Sequence, residues 1–259
     1  MQTHVKGPSR PTRSENPDRH AAVIESLTQD LATNALPDWD VVFRRDVDST
    51  SNLAADLVRD RLTDRKLAVV ADRQLAGRGR RLRGWSSVEA GQPTGVTVTF
   101  CIRSAAPPPG TMSLSAGVLV RDALLSLDVD ATIKWPNDLL VGDDKIGGIL
   151  CEHVDGHDLV GVGINTVRET DWPKGRSAIG RNRLDVLAAL GREVARWSTT
   201  PDRGWADHAA TFRDGLAWVG RRVVADPDGT AGTFDGVSPT GLPIIDGACV
   251  RASSLRLTD

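Results

Sequence analysis

Two lysines, an asparagine and an aspartate stand close together in IKWPNDLLVGDDKIGGILCE, residues 133–152. Lys134 falls in an apolar, strand-like run, where desolvation makes an ammonium costly unless it faces an anion. Pro136 stops that strand and fixes the turn that presents Asn137 and Asp138. Lys145 follows, then Gly147 and Gly148, where backbone can approach another group closely. Two lysines flanking a rigid Asn-Asp turn suit an anionic substrate. The Asp138 carboxylate is placed either to hold a metal ion or to orient a lysine. The competing reading is a β-hairpin with ordinary edge lysines.

Upstream, AGRGRRLRGW (76–85) contains no acidic residue and follows the apolar run KLAVVADRQ (66–74). A glycine-rich turn lets backbone N–H groups approach a ligand, and Arg78, Arg80, Arg81 and Arg83 can neutralise phosphate oxygens. Gly77, Gly79 and Gly84 loosely imitate G-x-G-x-x-G, but no helical pattern opens behind them, so the dinucleotide-fold reading fails. An anion site and a solvated basic loop both remain open, and Trp85 reads as a packing anchor. DVDSTSN (46–52) reads first as a helix N-cap. Its second reading is a set of hydroxyls bonding a polar ligand head at the positive helix end. GVGIN (161–165) is a strand of small residues, which either close packing or ligand approach explains. His153, Asp155 and His157 surround a DGH turn and read as a surface hairpin.

These segments need a scaffold, and the pattern along the chain supplies one. Residues 1–20 are rich in polar residues and proline and predict a disordered arm; a short helix over AAVIESLTQDLATN precedes Pro37. Strands are expected at WDVVFRRDV, KLAVVADRQ, TGVTVTFCI, ATIKW, LLV, KIGGILCEH and DLVGVGINT. Helices are expected from SNLAADLVRDRL, from the segment capped near Thr111 or Ser113, from RLDVLAALGREVARW and from WADHAATFRDGL. After Trp218 the chain turns to short strands with Gly, Pro and Asp at each turn, the pattern of a small β-barrel docked on the main domain. The expected class is α+β, a mixed sheet flanked by helices. The expected units are an arm and short helix (1–38), a catalytic domain (39–218) and a small barrel (219–259).

Bulk properties narrow the function. The 259 residues carry a formal net charge of -2, so the arginine cluster is local and a nucleic-acid partner is not expected. The apolar runs are too short for a membrane span, and the first twenty residues lack the apolar core of a signal peptide. Cys101, Cys151 and Cys249 are far apart with no CxxC pair, which points to reduced thiols in the cytoplasm and away from a disulfide or zinc framework.

Taken in order, the motifs resemble those of the biotin protein ligases. The resemblance rests on STS at 49–51, Gln74 with GRGRRLRGW, KWPND at 134–138, KIGGILCE at 145–152 and GVGIN at 161–165, and it covers roughly residues 40–259. It implies a biotin-lipoate ligase core of the class II synthetase type with a C-terminal SH3-like barrel. It also implies a two-step reaction: biotin and Mg-ATP give biotinyl-5′-AMP, and the acyl group passes to one lysine of a biotin carboxyl carrier domain. By the same resemblance Lys134, Lys145, Arg80, Asn137 and Asp138 are the catalytic set. Ser49, Thr50, Ser51, Gln74, Arg78, Gly79, Arg80, Lys145 and Gly148 hold biotin. Arg78, Arg80, Arg83, Trp85, Lys134 and Asn165 hold ATP, Mg²⁺ entering with the nucleotide. With no DNA-binding module before the core, the single-function form is implied.

Three positions depart from the family pattern. Ser51 stands where Asn is common, and either Ser51 or Asn52 takes that contact. Leu82 replaces a small residue inside the arginine loop, and Leu75 replaces a usual Thr. The alternatives are a lipoate or octanoate ligase or transferase of related architecture, and a non-catalytic biotin sensor. The sensor would have no need of Lys134, Lys145 and Arg80.

Overall fold

The computed structural model describes residues 26, 28–60, 66–79, 85, 88–89, 92–104, 111–168, 172–198 and 205–258. The expected N-terminal arm and the loop residues Arg80, Arg81, Leu82, Arg83 and Gly84 lie outside them.

The centre of the protein is a seven-stranded sheet in the order β1-β2-β5-β9-β8-β7-β6. Its strands are β1 (Asp40–Val47), β2 (Leu67–Gln74), β5 (Gly95–Arg103), β9 (His157–Asn165), β8 (Asp144–Val154), β7 (Asp138–Val141) and β6 (Thr132–Lys134). Only β1 and β2 run parallel, joined through helix α2 (Thr50–Arg59); the remaining pairs are antiparallel. A separate two-stranded ribbon, β3 (Val88–Glu89) and β4 (Gln92–Pro93), precedes β5.

Strand alternation gives the sheet two different faces. Val96, Val98, Phe100 and Ile102 of β5 and Val160, Val162 and Ile164 of β9 enter the main core. Helices α3 (Met112–Leu125) and α4 (Arg183–Ser198) contribute to that core, as does α5 (Trp205–Asp214) through Trp205 and Phe212. The opposite face carries α2 on a small cluster with Leu67, Val69, Cys101 and Leu159. Being covered on both sides, β2 reads as a continuous apolar run.

The helix through residues 28–35, α1, joins the main core through Ala32, as does Leu36 just beyond it. Its Gln29 side chain accepts from the Phe43 N–H at 2.8 Å and donates to the Val41 carbonyl at 3.0 Å, occupying the free edge of β1. The DGH turn forms the expected hairpin between β8 and β9, with Asp155 (φ 45°) and Gly156 (φ 73°) both in the left-handed region.

The C-terminal strands β10 (Arg222–Asp226), β11 (Thr230–Val237), β12 (Pro243–Ile245), β13 (Ala248–Cys249) and β14 (Ser254–Leu257) form a separate antiparallel sheet, ordered β13-β12-β11-β10-β14. The expected barrel is therefore open. Strands of two and three residues at one end are too short to close it, and its apolar residues bury elsewhere. Val223, Ala225, Phe234, Val237, Ile245 and Leu255 are continuous with the main core. Trp135 and Trp205 fasten it, donating to the Gly241 carbonyl at 2.9 Å and the Pro239 carbonyl at 2.7 Å. Asp143 adds a surface tie, accepting from Trp218 at 2.9 Å and Arg221 at 2.6 Å, and these bonds hold its carboxyl below the ordinary range.

All three thiols are free. Burial pushes Cys101 up to about 12. Cys151, half-buried as a residue, has a desolvated thiol also pushed up to about 12. Thiolate is the reactive species, so both are inert near neutral pH. Iodoacetamide at pH 7.5 is expected to add once, at the exposed Cys249, as read by intact mass and peptide mapping.

Candidate active site

The pocket lies on the sheet face that carries α2, and strand pairing lays out its floor. Register places Thr97, Gly163, Gly148, Asp138 and Lys134 in one row across five strands. At about 4.8 Å between strands, Thr97 and Asp138 are roughly 14 Å apart. The row begins beside hydroxyls and ends on cations, with glycines between.

At the cationic end, Lys134 and Asp138 are direct partners across the β6–β7 hairpin. Asp138 Oδ2 lies 3.3 Å from Lys134 Nζ, and Oδ1 lies 2.5 Å from Lys145 Nζ. Lys134 also stands over the Trp218 ring, 5.0 Å from its centroid. Two ammoniums sharing one carboxylate leave one positive charge in excess, which suits a carboxylate or phosphate. Asn137 pins the turn to β8: its Nδ2 donates to the Ile149 carbonyl at 2.7 Å, and its own carbonyl accepts the Ile149 N–H at 3.0 Å.

Lys145 and Gly148 both line the pocket, although three positions along a regular strand would put them on opposite faces. A bulge resolves this. Leu139 pairs with Gly147 but Leu140 pairs with Lys145, and the extra residue restores Lys145 to the pocket side. A Cβ on Gly148 would sit 3.6 Å from Lys145 Nζ, an ordinary contact. Gly148→Ala should therefore fold with its melting temperature nearly unchanged while ligand affinity falls at least about tenfold, because the added methyl occupies ligand space. Calorimetry and thermal melting on the same samples check this.

At the other end, Thr50, Ser51 and Gln74 line the wall. Gln74 Oε1 accepts from the Thr50 N–H at 2.9 Å, at the positive end of α2. Ser51 is buried against Gly161, where a Cβ would lie 2.9 Å from Ser51 Oγ. Asn52 is exposed and is not in the wall; of the two, Ser51 is the residue that lines it. Ser49 stands at the N-cap position with no side-chain cap bond and is buried outside the pocket lining. The cap reading of Ser49 therefore finds no side-chain bond.

Trp85 and Gly77 meet directly, the Trp85 N–H donating to the Gly77 carbonyl at 2.8 Å. Trp85 lies against Gly163, where a Cβ would come within 2.5 Å of the indole. Close packing and pocket lining thus both explain GVGIN. Gly79 and Arg78 line the pocket, and Arg78 Nη2 meets Glu152 Oε2 at 3.2 Å. Arg78 Nε and Trp85 Nε1 are buried with no acceptor among the described residues. Buried donors without partners are costly, so two on one pocket wall mark a place for a ligand acceptor. Asn165 is not in the lining; it donates to the Ser177 carbonyl at 3.0 Å and accepts from Arg176 at 3.3 Å. Arg176 in turn stacks on Trp172 and Trp85. Asn165 thus braces Ser177 and Arg176 beside the wall.

Several wall residues carried no sequence signal. Asp226, Ser253, Ser254, Leu255 and Arg256 of the C-terminal sheet reach the pocket, visible only once that sheet docks. Glu152 stood inside the KIGGILCE motif and could have been paired with an arginine on charge alone. As for a metal, each Asp138 oxygen is taken by a lysine, and no group of three His, Cys, Asp or Glu among the described residues could hold one. These residues do not fit a dedicated ion site.

The fold defines the class. A biotin protein ligase from Aquifex aeolicus, in complex with biotin and ATP, aligns with a TM-score of 0.69 and 23% identity over 85% of this chain and 99% of that one. Residues 42–166 match the model of the Biotin/lipoate A/B protein ligase family. The biotin–[acetyl-CoA-carboxylase] ligase of Paracoccus denitrificans is 30% identical over 207 residues, 71% of this chain and 85% of that protein. The chain belongs to the biotin/lipoate A/B protein ligase family. A Mycobacterium tuberculosis ligase of the same name is 30% identical over 162 residues, 56% of this chain and 60% of the relative. A bifunctional ligase/repressor of Bacillus spizizenii is 32% identical over 139 residues, 51% of this chain and 42% of the relative. The chain thus spans less than two thirds of the length of these two relatives.

Proposed function

We propose that this chain is an ATP-dependent biotin–protein ligase, forming AMP and pyrophosphate and acting on a carboxyl carrier domain of a biotin-dependent carboxylase. The carrying observation is the row of residues: hydroxyl and amide groups at one end, and two lysines on one carboxylate roughly 14 Å across the strands. That layout suits a ligand with a neutral polar head, an apolar middle over glycines, and a terminal carboxylate.

In the first step the biotin carboxylate oxygen attacks the α-phosphorus of ATP, and pyrophosphate leaves. Two anions must be brought together, so catalysis is positioning and charge neutralisation. Lys134 bridges carboxylate and α-phosphate, Lys145 binds the acyl-adenylate, and Asp138 keeps both ammoniums aimed. Arg78, with Arg80 and Arg83 beyond the described residues, closes on the phosphate. Mg²⁺ would belong to the nucleotide substrate and would supply further neutralisation of phosphate charge; no described residue is assigned to hold it. In the second step the carrier lysine amine attacks the acyl carbon and AMP leaves. A mixed anhydride hydrolyses in water, which gives the arginine loop its purpose as a cover. A cytoplasmic setting belongs to the same proposal, in keeping with three free cysteines. Among the described residues no helix is long and apolar enough to cross a membrane.

Calorimetric titration with biotin and, separately, lipoate tests the substrate, followed by ATP and a purified carrier domain. Biotin binding and a biotinylated carrier support the reading. Preference for lipoate assigns the chain to the other branch of the family, and biotin binding without adenylate makes it a sensor.

A further inference from the structure

Behind the pocket wall lies a buried chain of hydroxyls whose hydrogen-bond directions follow from one fixed point. Gln74 Oε1 receives the backbone N–H of Thr50 at 2.9 Å, a donor that cannot reverse. The oxygen of this amide is therefore the atom facing α2, and Nε2 is left to donate elsewhere. Thr50 Oγ1, 3.2 Å from the same oxygen, must give it its only hydrogen. Thr50 Oγ1 can then only accept, and Thr99 Oγ1 donates to it at 2.9 Å. With Thr99's hydrogen spent, the 3.1 Å contact between Ser51 Oγ and Thr99 Oγ1 runs one way, from Ser51. Ser51 Oγ reaches the pocket wall with its hydrogen already used. It presents lone pairs alone.

We propose that Thr99, which does not itself line the pocket, is a positioning residue that fixes Ser51 as a hydrogen-bond acceptor and so sets which ligand head the pocket takes. Thr99 is wholly buried on β5, directly opposite Gly161, whose missing side chain makes room for Ser51 Oγ. The wall therefore offers an acceptor at Ser51 Oγ and a donor at Gln74 Nε2. That pair matches a group with an N–H donor beside a carbonyl acceptor, the pattern of a cyclic urea. This rests on the biotin reading of the same pocket, since the ureido ring is biotin's head. It adds a residue that neither the motifs nor the pocket lining single out. Because Thr99 acts through Ser51, its hydroxyl has no value to the ligand once Ser51 is gone.

The test uses the full chain and measures biotin and ATP affinity separately by calorimetry. Thr99→Val, which keeps shape and removes the hydroxyl, is expected to weaken biotin about tenfold and ATP less than twofold. Thr99→Ser, which keeps the hydroxyl, should restore biotin affinity to within about twofold. Ser51→Ala should weaken biotin at least as much as Thr99→Val, and adding Thr99→Val to it should cost nothing more. Thr99→Ala replaces Thr99→Val should that variant not fold. Equal losses for biotin and ATP, an additive double variant, or unchanged biotin affinity in the valine variant would overturn the proposal. Wild-type protein that takes up no biotin removes the ligase reading and this proposal with it; wild-type binding with an unaffected valine variant removes only the role of Thr99.

Discussion

Lys145→Ala is expected to slow formation of the proposed biotinyl-adenylate by about 10²–10³-fold, with Lys134→Ala in the same range. Each lysine neutralises charge that grows as a carboxylate closes on a phosphate, and among the described residues no other lysine lines the pocket. Stability should scarcely move. When Lys145 is removed, Asp138 retains Lys134 at 3.3 Å, and these partly exposed pairs contribute at most about 1 kcal/mol. Pyrophosphate release at saturating biotin and ATP, read beside a thermal melt, separates lost chemistry from lost fold. Full turnover in either variant would remove that lysine from the mechanism.

The second large effect is on stability. Trp135→Ala is expected to cost about 3–5 kcal/mol, the usual range for truncating a buried aromatic side chain. Trp135 is 6% exposed, belongs to the main core, and donates to the Gly241 carbonyl of the C-terminal sheet at 2.9 Å. Losing the indole leaves a cavity and an unpaired carbonyl where the sheet docks. Trp135→Phe, which keeps most of the volume, should lose about 1–2 kcal/mol. Urea midpoints for the two variants check the order. Since Trp135 also lines the pocket, the alanine variant should lose ligand affinity too.

Trp135 shows what the sequence made legible. KWPND reads locally as a turn presenting Asn137 and Asp138, and the β6–β7 hairpin does so. The mixed sheet with flanking helices was readable because each strand and helix carries its own period. Lys145 and Gly148 were also readable as chemistry, but their common face was not, because it depends on a one-residue bulge against β7. Thr97 and Thr99 look like ordinary alternation in TGVTVTFCI; only pairing with Gly161 and Gly163 places them beside the pocket. The C-terminal strands suggested a small barrel docked on the main domain, and a five-stranded antiparallel sheet stands there, though not closed; that its inner residues join the main core has no local signature. Ser49 and Asn165 fit the motif pattern, yet one is buried outside the lining and the other braces Ser177.

The central claim is that this pocket joins biotin to AMP. The purified 259-residue chain incubated with biotin and Mg-ATP, without carrier protein, tests it by mass detection of the nucleotide product alongside pyrophosphate release. Biotinyl-5′-AMP and pyrophosphate are expected in equal amounts, both abolished when biotin is omitted and both sharply reduced by Lys145→Ala. Pyrophosphate release that ignores biotin, or no adenylate from folded protein that binds both substrates, would contradict it.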